Sequence, residues 1–82
     1  LIENAAIRAL LEHLLPLALL VTPNVPEAEI LSAREIRCVD DQRAAARALI
    51  GRGARAVLVK GGHLAGEEAV DVFDDGTVVQ EL

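Results

Sequence analysis

The sequence predicts an α/β fold: a mostly parallel sheet with a hairpin at its edge. Three observations predict it. Residues 17–22 and 54–59 are continuous apolar runs of strand length, and runs without alternation suit strands covered on both faces. An Ala-rich helical segment lies between them, and a strand–helix–strand crossover within one sheet makes its two strands parallel. Residues 70–73 and 77–80 alternate weakly around Asp75-Gly76, a dipeptide that favours a tight hairpin turn.

Each element has its own local reason. Residues 2–15 read as an amphipathic helix, because Ile7, Leu10, Leu11 and Leu14 recur on one face while Glu3, Arg8 and Glu12 fall off it. Pro16 ends that helix, since the residue before a proline is pushed out of the α region. After the first strand, Pro23 and Pro26 punctuate a turn and a short helix runs from about Val25 to Leu31. Residues 32–39 carry no period and read as a loop with some extended character. Asp40 is placed to cap the next helix, which runs to about Ile50 and buries Ala44, Ala45, Ala48 and Leu49. Gly51 and Gly53 offer the left-handed positions that end it.

Composition narrows the class. The chain has 82 residues, enough for one small domain, and a domain near this size buries only about 60% of its unfolded surface. Apolar residues make up 52%, yet Phe73 is the single aromatic and Met is absent, so Leu, Val, Ile and Ala must build the core. Aromatics usually dominate core energetics. That shortage, with a start at Leu1 and a stop just after a strand-like run, leads to the expectation of an internal piece of a larger α/β protein.

The net charge is −5, and the basic residues are dispersed. Without a basic cluster or a stacking platform, nucleic-acid binding is not expected. Cys38 is alone, which excludes an intrachain disulfide and a cysteine-based zinc site and fits a reducing cytoplasm. The longest apolar stretch, residues 14–21, is too short to span a membrane and contains Pro16. No signal peptide is visible.

Two segments carry the chemistry: Thr22-Pro23-Asn24-Val25-Pro26-Glu27 and Val59-Lys60-Gly61-Gly62-His63. Each follows a predicted strand, and parallel strands bring both to the carboxyl edge of the sheet, where open α/β sheets bind ligands. Asn24, Pro26 and Glu27 have the pattern of a helix start with a capping box. Asn24 and Glu27 are equally suited to face a metal–phosphate group, with the carboxylate holding Mg²⁺ directly or through water. The two readings are compatible, because a helix start at a sheet edge is also where anions bind. Gly61 and Gly62 fit either a tight turn or a close approach of ligand to backbone. Lys60 ends a buried run, where a merely solvated lysine is less expected, and lysine is a mobile point charge suited to phosphate. His63 reads as a structural hydrogen-bonding residue rather than a catalyst, and His13 as a surface or boundary residue. Cys38 reads as a small apolar loop residue, with no nearby base to make it a nucleophile. Asp71, Asp74 and Asp75 are expected to be solvated on the hairpin.

Residues 14–18, running into Val21-Thr22-Pro23-Asn24-Val25-Pro26-Glu27-Ala28-Glu29, and Val57-Leu58-Val59-Lys60-Gly61-Gly62-His63-Leu64 together resemble one family. It is the hydroxymethylpyrimidine/phosphomethylpyrimidine kinases of thiamine biosynthesis, in the ribokinase-like superfamily. Residues 40–56 resemble its intervening helix, and Asp71-Val72 with Asp75-Gly76 its following hairpin. The resemblance implies a three-layer α/β/α sandwich and phosphoryl transfer from MgATP to a pyrimidine hydroxymethyl group, then to its monophosphate. It places Asn24 and Glu27 at the magnesium, and Lys60, Gly61, Gly62 and His63 at the nucleotide phosphates. ATP and Mg²⁺ are the implied cofactors. The implied partners are a pyrimidine alcohol or its phosphate, with no nucleic acid and no membrane, and the setting is cytoplasmic. A homodimeric parent is compatible with it. Residues 1–82 would form the central segment of one kinase domain, without the amino-terminal substrate part or the later Gly-Thr-Gly-Cys anion-hole loop. No catalytic base is then expected here. Another ribokinase-like kinase, acting on pyridoxine or a sugar, remains an alternative reading, as does an inactive segment with a scaffold role.

Overall fold

The computed structural model describes residues 5, 6, 9, 13–62 and 69–82. A single 3-10 turn at Leu15–Leu17 is followed by α1 (Val25–Ser32), α2 (Val39–Gly51), β1 (Val57–Val59), β2 (Val72–Asp74) and β3 (Val79–Glu81). Ala5, Ala6, Ala9, His13 and Leu14 are helical. Residues 2–4, 7, 8 and 10–12 of the expected first helix, and His63, lie outside the described residues, while Leu15 belongs to the 3-10 turn.

The three strands form one sheet in the order β1-β2-β3. Both pairings are antiparallel, with Leu58 opposite Phe73 and Phe73 opposite Gln80. The α/β class holds, but the regular ladder is antiparallel where a mostly parallel sheet was expected. Residues 17–22 explain the difference. Leu17 closes the 3-10 turn, and Leu17, Leu19 and Leu20 are 79%, 74% and 51% exposed. With nothing among the described residues covering these side chains, the run forms no strand. Its parallel relation to β1 survives as two isolated bridges, Val21 with Val57 and Asn24 with Lys60. The second apolar run is a strand only over its last three residues, Val57–Val59.

Side chains alternate across the sheet. Val57, Val59, Val72 and Asp74 share one face and are fully buried, while Leu58 and Phe73 on the other are half-buried. Helix α2 packs on both β1 and β2. Its buried side is Gln42, Ala45, Ala46 and Leu49, a one-face helical spacing. The expected stripe differs by a small rotation: Ala44 and Ala48 are only half-buried. A glutamine on the inward face hides the true stripe from hydropathy. Small side chains bring the helix close to the sheet. Burying Leu49 completely contributes about 2 kcal/mol.

Caps set the helix ends. Cys38, not Asp40, is the N-cap of α2, and its side chain makes no cap bond. Asp41 does the corresponding work from inside the helix, its Oδ2 accepting from the Arg37 N–H at 2.9 Å. Asp40 instead pairs with Arg43 at 3.0 Å. At the other end Gly51 stays helical and Gly53 takes φ 114°. A Cβ on Gly53 would lie 2.8 Å from Pro16 Cγ, so its absence lets the 3-10 turn rest on the end of α2.

The Asp75-Gly76 turn forms as expected. Asp75 Oδ1 accepts from the N–H groups of Thr77 and Val78, and Gly76 adopts φ 88°. Asp74 departs from expectation, since it is fully buried rather than solvated. Its place opposite Val57 turns it toward the core. There Oδ1 accepts from the Gly76 N–H at 2.7 Å, and Oδ2 lies 3.2 Å from Arg47 Nε. No helix among the described residues is long and apolar enough to cross a membrane.

Candidate functional site

The two predicted segments meet. Val21 makes two hydrogen bonds at the start of β1, from its N–H to the O of Ala56, the residue before the strand, at 3.0 Å and from Leu58 N–H to Val21 O at 2.8 Å. The same parallel run continues as Lys60 N–H donates to Pro23 O at 2.8 Å. Asn24 and Lys60 are thereby bridge partners at the end of the sheet. Pro23 is buried, so its carbonyl is a fixed anchor, while Asn24, Glu27 and Lys60 are exposed.

The start of α1 is held by a complete capping box. Asn24 Oδ1 accepts from the Glu27 N–H, and Glu27 Oε1 accepts from the Asn24 N–H, both at 2.9 Å. The capping reading of these residues is therefore realised. It leaves Glu27 Oε2 without a partner among the described residues, aligned by its sister oxygen at a helix N-terminus. Lys60 likewise makes no ion pair among the described residues.

The two glycines differ. A Cβ on Gly62 would meet nothing within 4 Å. On Gly61 it would overlap the Val70 carbonyl, with the Val70 nitrogen 2.9 Å away. Gly61 N–H donates to Asp71 Oδ1 at 2.9 Å, so that amide is committed within the chain. Gly61 thus shapes the turn after Lys60, and Gly62 leaves its outer side open.

Two residues support this turn: Gln42, which sequence reasoning did not single out, and Asp71, which is half-buried and bonded where a solvated hairpin residue is expected. Gln42 is fully buried, and its Nε2 donates to Val59 O at 3.3 Å and to Val70 O at 2.8 Å. Its Oε1 is buried without a partner among the described residues. Asp71 carries the bond to Gly61. A polar residue in an otherwise apolar helical stripe was the one available signal for Gln42; nothing local marks Asp71.

A separate open hollow of about 320 Å³ is lined by Leu14, Leu15, Ala18, Leu20, Val21, Thr22 and Leu31. It holds no charge and does not include Asn24, Glu27 or Lys60. Cys38 is half-buried with a free thiol, and His13 is exposed.

Residues 1–82 match the family model described as phosphomethylpyrimidine kinase. The chain is 49% identical to the hydroxymethylpyrimidine/phosphomethylpyrimidine kinase of Rhizobium meliloti, a match covering 100% of this chain and 31% of that protein. Among solved structures, phosphomethylpyrimidine kinase from Clostridium difficile superposes with a TM-score of 0.76 at 40% identity, over 83% of this chain and 29% of that one. An ADP complex of Bacillus subtilis pyridoxal kinase superposes with a TM-score of 0.81 at 42% identity, over 96% of this chain and 29% of that one. The chain spans about a third of the length of the curated relatives it matches over its whole extent.

Proposed function

The chain belongs to the phosphomethylpyrimidine kinase family, and on that footing we propose that it is the central segment, residues 1–82, of one kinase domain. The whole protein would phosphorylate hydroxymethylpyrimidine and then its monophosphate with ATP, in the cytoplasm, as a step in thiamine biosynthesis. One observation carries the reading for these residues: the Asn24–Lys60 bridge, which sets Lys60, with no ion pair among the described residues, next to the residue that starts α1.

Phosphoryl transfer asks a protein chiefly for positioning and charge neutralisation. Lys60 supplies a mobile positive charge toward the nucleotide phosphates, beside the exposed Gly62. Gly61 contributes through the path of the backbone. His63 belongs to the same segment and is carried in the proposal as a phosphate-side residue. Among the described residues no three His, Cys, Asp or Glu side chains gather as a metal cluster. Magnesium fits nonetheless, because it is commonly held by one or two carboxylates with waters and substrate phosphates completing its shell. Glu27 Oε2 would be that carboxylate oxygen, with Asn24 orienting it through the capping box. The metal would screen phosphate charge during transfer. The chain's own residues hold the nucleotide end of the site, and none is proposed as the base.

A pyridoxal-type vitamin kinase is the second reading, favoured by the superposition on pyridoxal kinase. The deciding experiment is ADP release by the full-length protein offered hydroxymethylpyrimidine, its monophosphate and pyridoxal in turn. Transfer to the two pyrimidines is expected. Exclusive use of pyridoxal transfers the assignment to the second reading, and no ADP release with any of them removes both.

A further inference from the structure

We propose that Asp71 is a positioning residue for Lys60, acting through the Gly61 amide, with Gln42 as its buried counterpart on the other side of the same turn. The inference rests on the reading of Lys60 as the cation that faces nucleotide phosphates.

The backbone around Lys60 is held at three successive points. The Val59 carbonyl accepts from Gln42 Nε2, the Lys60 N–H donates to Pro23 O, and the Gly61 N–H donates to Asp71 Oδ1. Gln42 Nε2 also donates to Val70 O, on the returning side of the connection between β1 and β2. Both partners of that nitrogen are carbonyls, which fixes the orientation of the amide. The connection is thus closed at its neck, with Val59 and Gly61 on one side and Val70 and Asp71 on the other. Gly61 lies so close to Val70 that a side chain there is excluded.

Asp71 is itself anchored. Its N–H donates to Leu82 O at 3.3 Å, and its carbonyl accepts from the Leu82 N–H at 2.7 Å. The carboxylate therefore projects from the paired base of the hairpin, not from a free loop. A lysine side chain is a long, flexible stem, so its reach is defined only if the peptide it leaves from is fixed. Pro23 fixes the peptide that precedes Lys60, toward α1, and Asp71 fixes the one that follows it, toward the hairpin. Without Asp71 the Gly61 N–H has no partner among the described residues, and glycine permits its peptide to turn freely.

The test uses the full-length protein with Asp71→Ala and Asp71→Asn, since asparagine keeps an acceptor oxygen. Two readouts are taken: Michaelis constants for ATP and for hydroxymethylpyrimidine separately, and amide hydrogen exchange at Gly61. Asp71→Ala is expected to raise the KM for ATP and the Gly61 exchange rate by about tenfold, the scale of one charge-assisted hydrogen bond, while the KM for the pyrimidine stays within about twofold. Asp71→Asn is expected to restore both. Wild-type transfer with an unmoved KM for ATP in Asp71→Ala overturns this inference alone, as does Gly61 exchange that stays slow. Equal rises in both Michaelis constants mark a folding defect and overturn it too. A wild-type protein that transfers no phosphoryl group overturns the kinase reading, and this one with it.

Discussion

Lys60 donates its backbone N–H to the carbonyl of Pro23, 2.8 Å away, and thereby stands beside Asn24 at the end of the sheet. That contact brings together two segments far apart in the chain. The capping box faces one side of it and the Asp71-anchored turn the other.

On the proposed function, Lys60→Ala in the full-length protein should weaken ATP use more than pyrimidine binding. Loss of one charged contact to phosphate corresponds to about 10- to 100-fold in kcat/KM for ATP. Steady-state kinetics with each substrate varied in turn check it. Equal losses for both substrates would point to a disturbed fold.

Glu27 closes the capping box and is proposed to hold magnesium as well. Glutamine can still close a capping box, so Glu27→Gln should leave stability within about 0.5 kcal/mol while raising the magnesium requirement and lowering turnover. Glu27→Ala removes the cap as well and should cost about 1 kcal/mol. Magnesium titrations paired with urea unfolding separate the duties. A magnesium dependence unchanged in Glu27→Gln would leave Glu27 a cap and nothing more.

The buried carboxylate of Asp74 depends on Arg47, whose side chain is half-exposed. Arg47→Ala strands that carboxylate with only the Gly76 N–H among the described residues and should cost about 1–3 kcal/mol. Adding Asp74→Asn to Arg47→Ala keeps the acceptor for Gly76 and removes the stranded charge, so the double variant should be the more stable of the two. Urea midpoints of the two variants give the order, and the reverse order would refute this account of the pair.

Acid should weaken the fold in a defined window. The Arg37 N–H bonded to Asp41 holds that carboxyl below its ordinary value of 3.8, and the N–H groups of Val78 and Thr77 do the same for Asp75. A lowered folded value means that the unfolded chain binds more protons as pH falls, so the contribution is complete above 3.8 and is lost on acidification below it. Asp41→Asn combined with Asp75→Asn should flatten the acid limb of stability against pH. Unfolding midpoints measured across that limb test it, and an unaltered slope counts against the assignment.

What the sequence determined by itself is local or nearly so. Asn24, Pro26 and Glu27 specify the start of α1 because a capping box spans only four residues, and Asp75-Gly76 specifies the hairpin turn for the same reason. That the segments around Asn24 and Lys60 pair was also legible, since two apolar runs separated by a helix have few ways to share a sheet. Tertiary structure decided the rest. Residues 17–22 look like a strand, yet a strand needs neighbours and cover, and only Val21 finds a partner in β1. Asp74 looks like a solvated hairpin residue, but register sets its direction and Arg47 makes its burial tolerable. Gln42 and Asp71 look like surface polar residues. Their roles exist only because folding brings Val59, Gly61 and Val70 within hydrogen-bond reach of them, contacts that no local pattern encodes.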